Sequence, residues 1–158
     1  MQQAMEQKAA LKSFFGAVFV FLTLSALLWL VLFKNQWVAP QEMMSISLGD
    51  RVFSVEVAKT KEEREKGLSM RENLPQNQGM LFVVDKPDRH GIWMKNMFFP
   101  IDILWLGEGG AVVYVVQNAE PDSYPLVYKP PVPALYVLEV DAGVIKNIGI
   151  QEGDLVSI

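Results

Sequence analysis

Residues 52–67 read VFSVEVAKTKEEREKG and predict a β-strand followed closely by a short helix. Apolar residues at every second position from Phe53 alternate with polar ones, which is the pattern of a half-buried strand. Thr60 and Glu63 have the spacing of a capping box, so a helix should begin after Thr60 and end at Gly67. The predicted helix contains no apolar residue, so polar groups must hold it to the rest of the domain.

Further strands are predicted on both sides of this stretch. Ser45 to Leu48 precedes the turn Gly49-Asp50 and should form a hairpin with Val52 to Ala58. Gly107 to Gly110 has the composition of a tight hairpin loop, and a last strand is expected after Gly153-Asp154. The remaining predicted strands are Gly79–Val84, Gly91–Lys95, Ile101–Leu106, Ala111–Gln117 and Ala134–Val140. This pattern predicts a mainly β domain (β-rich α+β), built as a compact barrel or a two-layer sheet with one short helix.

The N-terminal part of the chain carries a long uncharged stretch, SFFGAVFVFLTLSALLWLVLF, at residues 13–33. Because about 20 helical residues span a bilayer of roughly 30 Å, this stretch predicts a single transmembrane helix. Lys8 and Lys12 precede it, which predicts a cytoplasmic segment 1–12 and an extracytoplasmic C-terminal part at the plasma (inner) membrane. A cleaved signal peptide would have a shorter apolar core and a small-residue cleavage site, so an uncleaved anchor is the favoured alternative.

In this scheme residues 34–44 form a linker and residues 45–158 form the exported domain. Without residues 1–33 the chain keeps 12 basic and 17 acidic side chains, so no nucleic-acid partner is expected. The sequence has no cysteine, and its one histidine is His90, which excludes disulfides, thiolate zinc sites and multi-histidine metal sites. No metal and no cofactor are expected. The expected partners are the bilayer, through residues 13–33, and an envelope protein or a small polar ligand.

The most informative residues are charged side chains at positions where the strand pattern favours apolar ones. Asp102 shares a strand face with Leu104, and Glu139 shares one with Val137. A partly buried charge must be paired or its pKa must shift, so these residues should belong to a polar cluster. The predicted members of this cluster are Arg64, Arg71, Lys95, Asn96, Asp102 and Glu139.

The same part of the chain resembles the uncharacterised domain-of-unknown-function family 192 (DUF-192) over residues 51–158. The segments that carry the resemblance are Val55–Ala58, Glu63-Arg64, Gly67-Leu68, Arg71, Gly79–Phe82, Trp93–Asn96, Pro100–Ile103, Asn118, Pro121, Leu138–Val140, Ala142-Gly143, Gly149 and Gly153-Asp154. The resemblance implies a compact, mostly β domain, often behind an N-terminal signal or anchor, and no established activity. Its motif residues coincide with the polar cluster and add Glu63 to it. Met97 stands where the family usually has a threonine, which removes a hydroxyl from the site.

Three functions are compatible with such a cluster. The first is a membrane-anchored module of the cell envelope that binds a small ligand or another protein. The second is a hydrolase or lyase in which Asp102 or Glu139 acts as general acid or base and Lys95 stabilises negative charge. The third is a purely structural accessory domain in which an ion-pair network fixes helix and loops. The proline-rich segment 118–133 is expected either to cover a site or to serve as a stiff loop over the core.

Overall fold

The computed structural model describes residues 12, 15–16, 18–29 and 41–158 of the chain. Residues 18–29 are helical. Among the described residues, no helix is both long enough and apolar enough to cross a membrane. The predicted spanning segment 13–33 extends beyond the described residues, and most of the predicted N-terminal segment and of the linker lies outside them. Residues 41–158 form a compact unit.

The unit contains eight strands and two short α-helices among its described residues. The strands are β1 (Met43–Leu48), β2 (Arg51–Ala58), β3 (Gln78–Asp88), β4 (Ile92–Trp93), β5 (Ile101–Leu106), β6 (Val112–Ala119), β7 (Val127–Tyr128) and β8 (Ala134–Asp141). The helices are α1 (Lys61–Lys66) and α2 (Val144–Ile148). Turns of 3₁₀-helix occupy Glu108–Gly110 and Pro121–Ser123.

Six of the strands form one sheet in the order β1-β2-β3-β8-β5-β6, while β4 and β7 form a separate two-stranded ribbon. β2 and β3 are parallel, because the chain crosses over through α1 between them, and the other neighbours are antiparallel. β1 and β6 are the outer strands, and the described residues form no closed barrel. The two-layer alternative therefore describes the fold. The strand expected after Gly153-Asp154 is replaced by two isolated bridges, Leu155 to Ala111 and Ser157 to Ser47.

Each face of the sheet is covered by its own apolar core. One core contains Leu104, Leu138 and Ile145 of α2, and the other contains Phe82, Trp105 and Val137. Since side chains alternate along a strand, neighbouring residues of β5 and β8 belong to different cores. This alternation decides where the buried charged residues of these two strands lie.

The local predictions differ in how well they match the structure. β5 has the predicted bounds, and the capping box of α1 is confirmed: Thr60 Oγ1 accepts from the Glu63 amide at 3.2 Å, and the Glu63 carboxylate accepts from the Thr60 amide at 2.9 Å. The predicted strand Gly91–Lys95 contains only the two residues of β4. β7 lies inside the proline-rich segment, where no strand was predicted, because two residues give no readable alternation.

Candidate functional site

Asp102 is completely buried beside α2, and its carboxylate is fully engaged by the backbone. One oxygen accepts from the amide of Asn118 at 2.8 Å, and the other accepts from the amide of Ile145 at 2.9 Å. Gly143 at the start of α2 offers no side-chain cap, so Asp102 supplies the acceptor that the first turn of this helix needs. The side chain of Asp141, two residues before Gly143, makes no such bond. Asp102 therefore faces away from the rest of the predicted cluster.

Glu139 belongs to the opposite face and has a different environment. Its residue surface is 5% exposed, and it lines a cleft between α1 and the sheet. Every fully enclosed side-chain nitrogen or oxygen of the described residues has a hydrogen-bond partner, whereas Glu139 makes no hydrogen bond within the described chain. Its carboxyl oxygens are therefore open to the cleft. Burial raises the pKa of Glu139 to about 8, with the nearby positive charge of Arg71 opposing the increase, so the group is mostly protonated at neutral pH.

Arg71 holds a second carboxylate next to Glu139. Its two terminal nitrogens donate to the two oxygens of Glu56 at 2.5 and 2.6 Å. Glu56 and Glu139 both pair with Met80 of β3, one from each side, so the three side chains form one row on this face of the sheet. The bond from Arg71 lowers the pKa of Glu56, and the same bond raises the pKa of Arg71. The sequence assigns Glu56 to a solvent face, because the alternation from Phe53 does not reveal that this second face of β2 becomes covered at its C-terminal end, at Glu56 and Ala58.

α1 forms one wall of the cleft and is held there by Arg64. The Arg64 side chain donates through one terminal nitrogen to the backbone carbonyl of Lys59 and, at 3.1 Å, to that of Val83. Arg64 therefore supplies a polar anchor for a helix that has no apolar residue, and its partners are backbone carbonyls. Glu63 turns back to the helix start, where the amides of Thr60 and Lys59 lower its pKa.

Lys95 and Asn96 contribute backbone contacts and leave their side chains outside the cleft. The Lys95 carbonyl accepts from Ser69 Oγ at 2.9 Å, and the Asn96 carbonyl accepts from the amide of Met70 at 2.8 Å. These bonds tie the loop after α1 to the segment after β4. The Lys95 ammonium lies 5.9 Å from the centre of the Trp93 ring and is exposed. Of the seven predicted residues, Arg64 and Glu139 line the cleft, and Arg71 lies beside it.

The cleft has a volume of about 210 Å³. Its walls combine apolar side chains with a rim of charged ones. The lining residues are Lys61, Arg64–Ser69, Phe82, Val84, His90–Trp93, Met97, Ile101, Val137 and Glu139. His90, the one histidine, is half-buried in this wall, and its carbonyl accepts from the indole of Trp105 at 2.8 Å.

The proline-rich segment 118–133 supports the cleft from outside. None of its residues lines the cleft. Val127 of β7 pairs with Trp93 of β4, and a Cβ on Gly91 would approach the Val127 side chain to 2.5 Å. The segment therefore positions the β4 wall of the cleft.

The fold and the site define a small mainly β domain in which one buried acid faces an open cleft. Residues 44–158 match the sequence profile of DUF192, described as "Uncharacterized ACR, COG1430", and the chain belongs to this family. A UPF0127 protein of Thermococcus gammatolerans is 32% identical over 105 residues, which cover 65% of this chain and 65% of that protein. The match thus spans less than two thirds of that relative's length.

Two solved structures share the fold. A protein of unknown function from Novosphingobium aromaticivorans is 31% identical, with a TM-score of 0.71 over 77% of this chain and 89% of that one. A protein from Sinorhizobium meliloti, described as a putative transcription regulator, is 29% identical, with a TM-score of 0.69 over 75% of this chain and 95% of that one. These similarities place the chain in a family of unknown function.

Proposed function

We propose that residues 41–158 are a binding module for a small molecule that occupies the cleft under α1. The bound molecule presents a hydrogen-bond acceptor to Glu139 and packs its apolar part against the walls. Glu139 is the observation that supports this proposal. Burying a carboxyl group without a partner costs free energy, and such groups are concentrated at functional sites.

The chemistry of Glu139 suits recognition at neutral pH. Since its pKa is about 8, the group is protonated and donates a hydrogen bond without bringing a negative charge into the cleft. The walls supply apolar contacts from Phe82, Met97 and Val137, and a few polar groups among apolar walls are typical of ligand sites.

The two alternative functions have less support. The hydrolase or lyase alternative assigns roles to Lys95 and to Asp102 or Glu139, and of these three residues only Glu139 lines the cleft. The accessory-domain alternative requires a unit without a pocket, whereas the described unit has an accessible cleft. Exposed apolar side chains such as Phe98 (59% exposed) and Leu126 (54% exposed) keep a protein partner compatible with the module.

We also propose that the uncharged stretch 13–33 anchors this module in the plasma membrane and that the module lies on the extracytoplasmic side. The support is the length of the stretch and the basic residues Lys8 and Lys12 before it. In a bacterial host, the full chain should remain in the membrane pellet after alkaline carbonate extraction, and protease added to spheroplasts should digest the module. Release of the folded chain by carbonate would contradict the anchor, and protection from protease would contradict the orientation.

Fragment screening by NMR tests the binding function. The full chain, reconstituted in phosphatidylcholine nanodiscs with labelled methyl groups, is screened against a library of small fragments. Hits should shift the methyl resonances of Met97, Ile101 and Val137 and leave Leu104, on the other face of the sheet, unchanged. Val84→Phe should abolish these shifts by filling the cleft. Val83→Phe, the matched control, adds the same ring on the opposite face.

Two results would contradict the binding function. The first is a screen in which no fragment shifts the cleft methyls. The second is a set of hits that persist in Val84→Phe, because these would bind outside the cleft. The dispersion of the methyl resonances reports whether each variant is folded.

A further inference from the structure

The rim of the cleft has a charge opposite to that of the chain. The sequence has a formal net charge of −4, yet α1 contributes three cations to the lining and one carboxylate. The cations are Lys61, Arg64 and Lys66, and the carboxylate is Glu65. Because Glu139 is mostly protonated at neutral pH, it adds little negative charge to the cleft. The cleft is therefore a locally positive site in an acidic protein.

Arg64 is the cation of this rim that lies deepest. It is half-buried, and no carboxylate of the described chain lies within 4.0 Å of its guanidinium. One terminal nitrogen of Arg64 donates to the carbonyls of Lys59 and Val83, and these two hydrogen bonds fix the guanidinium in place. The other terminal nitrogen and Nε make no hydrogen bond to the described residues. A fixed guanidinium with unused donors is suited to binding an anionic oxygen.

The two lysines of the rim are partly available. The Lys61 ammonium lies 3.6 Å from Glu65 in an exposed i, i+4 pair, which is a weak interaction. Lys66 forms no ion pair within the described residues, although its charge contributes to the lowered pKa of Glu56. Both ammonium groups therefore add positive potential at the opening at little structural cost.

The size and walls of the cleft limit the rest of the ligand. A volume of about 210 Å³ lies below the roughly 300–1,000 Å³ of sites for drug-sized ligands, so the ligand is small. Phe82, Ile92 and Trp93 provide flat and aliphatic walls that suit a compact apolar body.

Resting on the proposed function, we infer that the ligand of this cleft is a small organic acid. Its apolar body lies against Phe82 and Val137, and its anionic group faces the free donors of Arg64 with Lys61 and Lys66 nearby. The positive rim attracts the acid and excludes amines of the same shape.

Three probes that share the same apolar group and differ only in their head group test this inference. They are 3-(4-hydroxyphenyl)propionate, tyrosol and tyramine, which carry an acid, an alcohol and an amine on the same hydroxyphenylethyl group. Each is titrated by NMR into the full chain in phosphatidylcholine nanodiscs at low ionic strength. The acid should bind at least about tenfold more tightly than tyramine, with tyrosol between them, and 0.5 M salt should reduce the difference.

The charge of the rim is tested with matched lysine variants. The double variant Lys61→Gln/Lys66→Gln should reduce the preference for the acid to about threefold or less, and Arg64→Gln should weaken binding of the acid further. Lys146→Gln makes the same kind of charge change on α2, which packs on the other face of the sheet. It should leave the preference for the acid unchanged.

The outcomes separate this inference from the function on which it rests. If tyrosol or tyramine binds as tightly as the acid, or if only neutral and cationic fragments shift the cleft methyls, the acid class is wrong while the binding site stands. If neither the probes nor any fragment shifts those methyls, the binding function itself fails. An unchanged preference in the double lysine variant would show that the rim does not select the ligand.

Discussion

Asp102 and Glu139 lie on the neighbouring strands β5 and β8, and both are almost completely buried. Asp102 accepts hydrogen bonds from two backbone amides, whereas Glu139 makes none within the described residues. The first carboxylate therefore completes the structure of α2, and the second remains available to a molecule from outside. The pair shows that burial of an acid does not by itself indicate function. The deciding observation is what occupies its oxygens.

The largest expected effect is the loss of stability in Asp102→Ala. This change leaves the partly buried amide of Asn118 and the amide of Ile145, on α2, without a partner, so the free energy of unfolding should fall by about 3–5 kcal/mol. Urea unfolding of the full chain in a mild detergent, followed by tryptophan fluorescence, to which the buried Trp105 contributes, measures the loss. Asp141→Ala is the matched control, since it removes the same charge from an exposed position. A loss below about 1 kcal/mol in Asp102→Ala would mean that Asp102 is not a structural cap.

The second expected effect is a decrease in stability with rising pH that depends on Glu139. Its pKa is 4.5 when exposed and about 8 in the folded protein, so the folded state binds the proton more tightly. Below pH 4.5 both states are protonated, and between pH 4.5 and 8 the unfolded state releases the proton first. The free energy of unfolding should therefore fall by up to about 1.4 kcal/mol per pH unit in this window, or about 2 kcal/mol from pH 6 to 7.5.

The difference between the wild type and Glu139→Gln isolates this contribution. The variant cannot ionise at this position, so its urea midpoint should be less sensitive to pH between 6 and 7.5. Parallel pH profiles for the two proteins would mean that Glu139 is already ionised in the folded state, and its role as a hydrogen-bond donor in the cleft would then be wrong.

The third expected effect is a gain of stability, in contrast to the loss expected for Asp102→Ala. Glu139→Leu should raise the free energy of unfolding at pH 7 by about 1–2 kcal/mol, because an apolar side chain replaces a buried group that has no hydrogen-bond partner. The same substitution should weaken fragment binding in the cleft. A variant that is less stable than the wild type would show that Glu139 supports the fold, as Asp102 does.

The contrast between the two acids also shows what the sequence could predict. Each acid ends a row of apolar residues, so local alternation correctly marked both as buried. Which face each one occupies depends on the register, in which Asp102 pairs with Val140 and Ile103 pairs with Glu139. A shift of one residue would exchange the faces, and register is set by contacts far apart in the sequence.

Elements with strong local signals were predicted well, and those that depend on distant contacts were not. The capping box specified the start of α1, and the alternation in residues 101–106 specified β5. The partner of Glu56 is Arg71, fifteen residues away on a loop, and no local pattern predicts that contact. The cleft is likewise formed by α1, β3, β4 and β8, which meet only in the folded unit.

The smallest expected effect concerns the cap of α1, and it compares the two helices directly. Thr60→Ala removes an exposed cap supplied by the residue next to the helix, so the free energy of unfolding should fall by only about 1 kcal/mol. Thr60→Ser keeps the hydroxyl, so its free energy of unfolding should be close to that of the wild type.

Hydrogen exchange at the amides of Arg64 and Glu65 should become faster in Thr60→Ala, because the lost stability reflects local fraying of α1. Since α1 carries the cationic rim, this fraying should also weaken binding of 3-(4-hydroxyphenyl)propionate. A loss as large as that of Asp102→Ala would mean that α1 is as integral to the fold as α2.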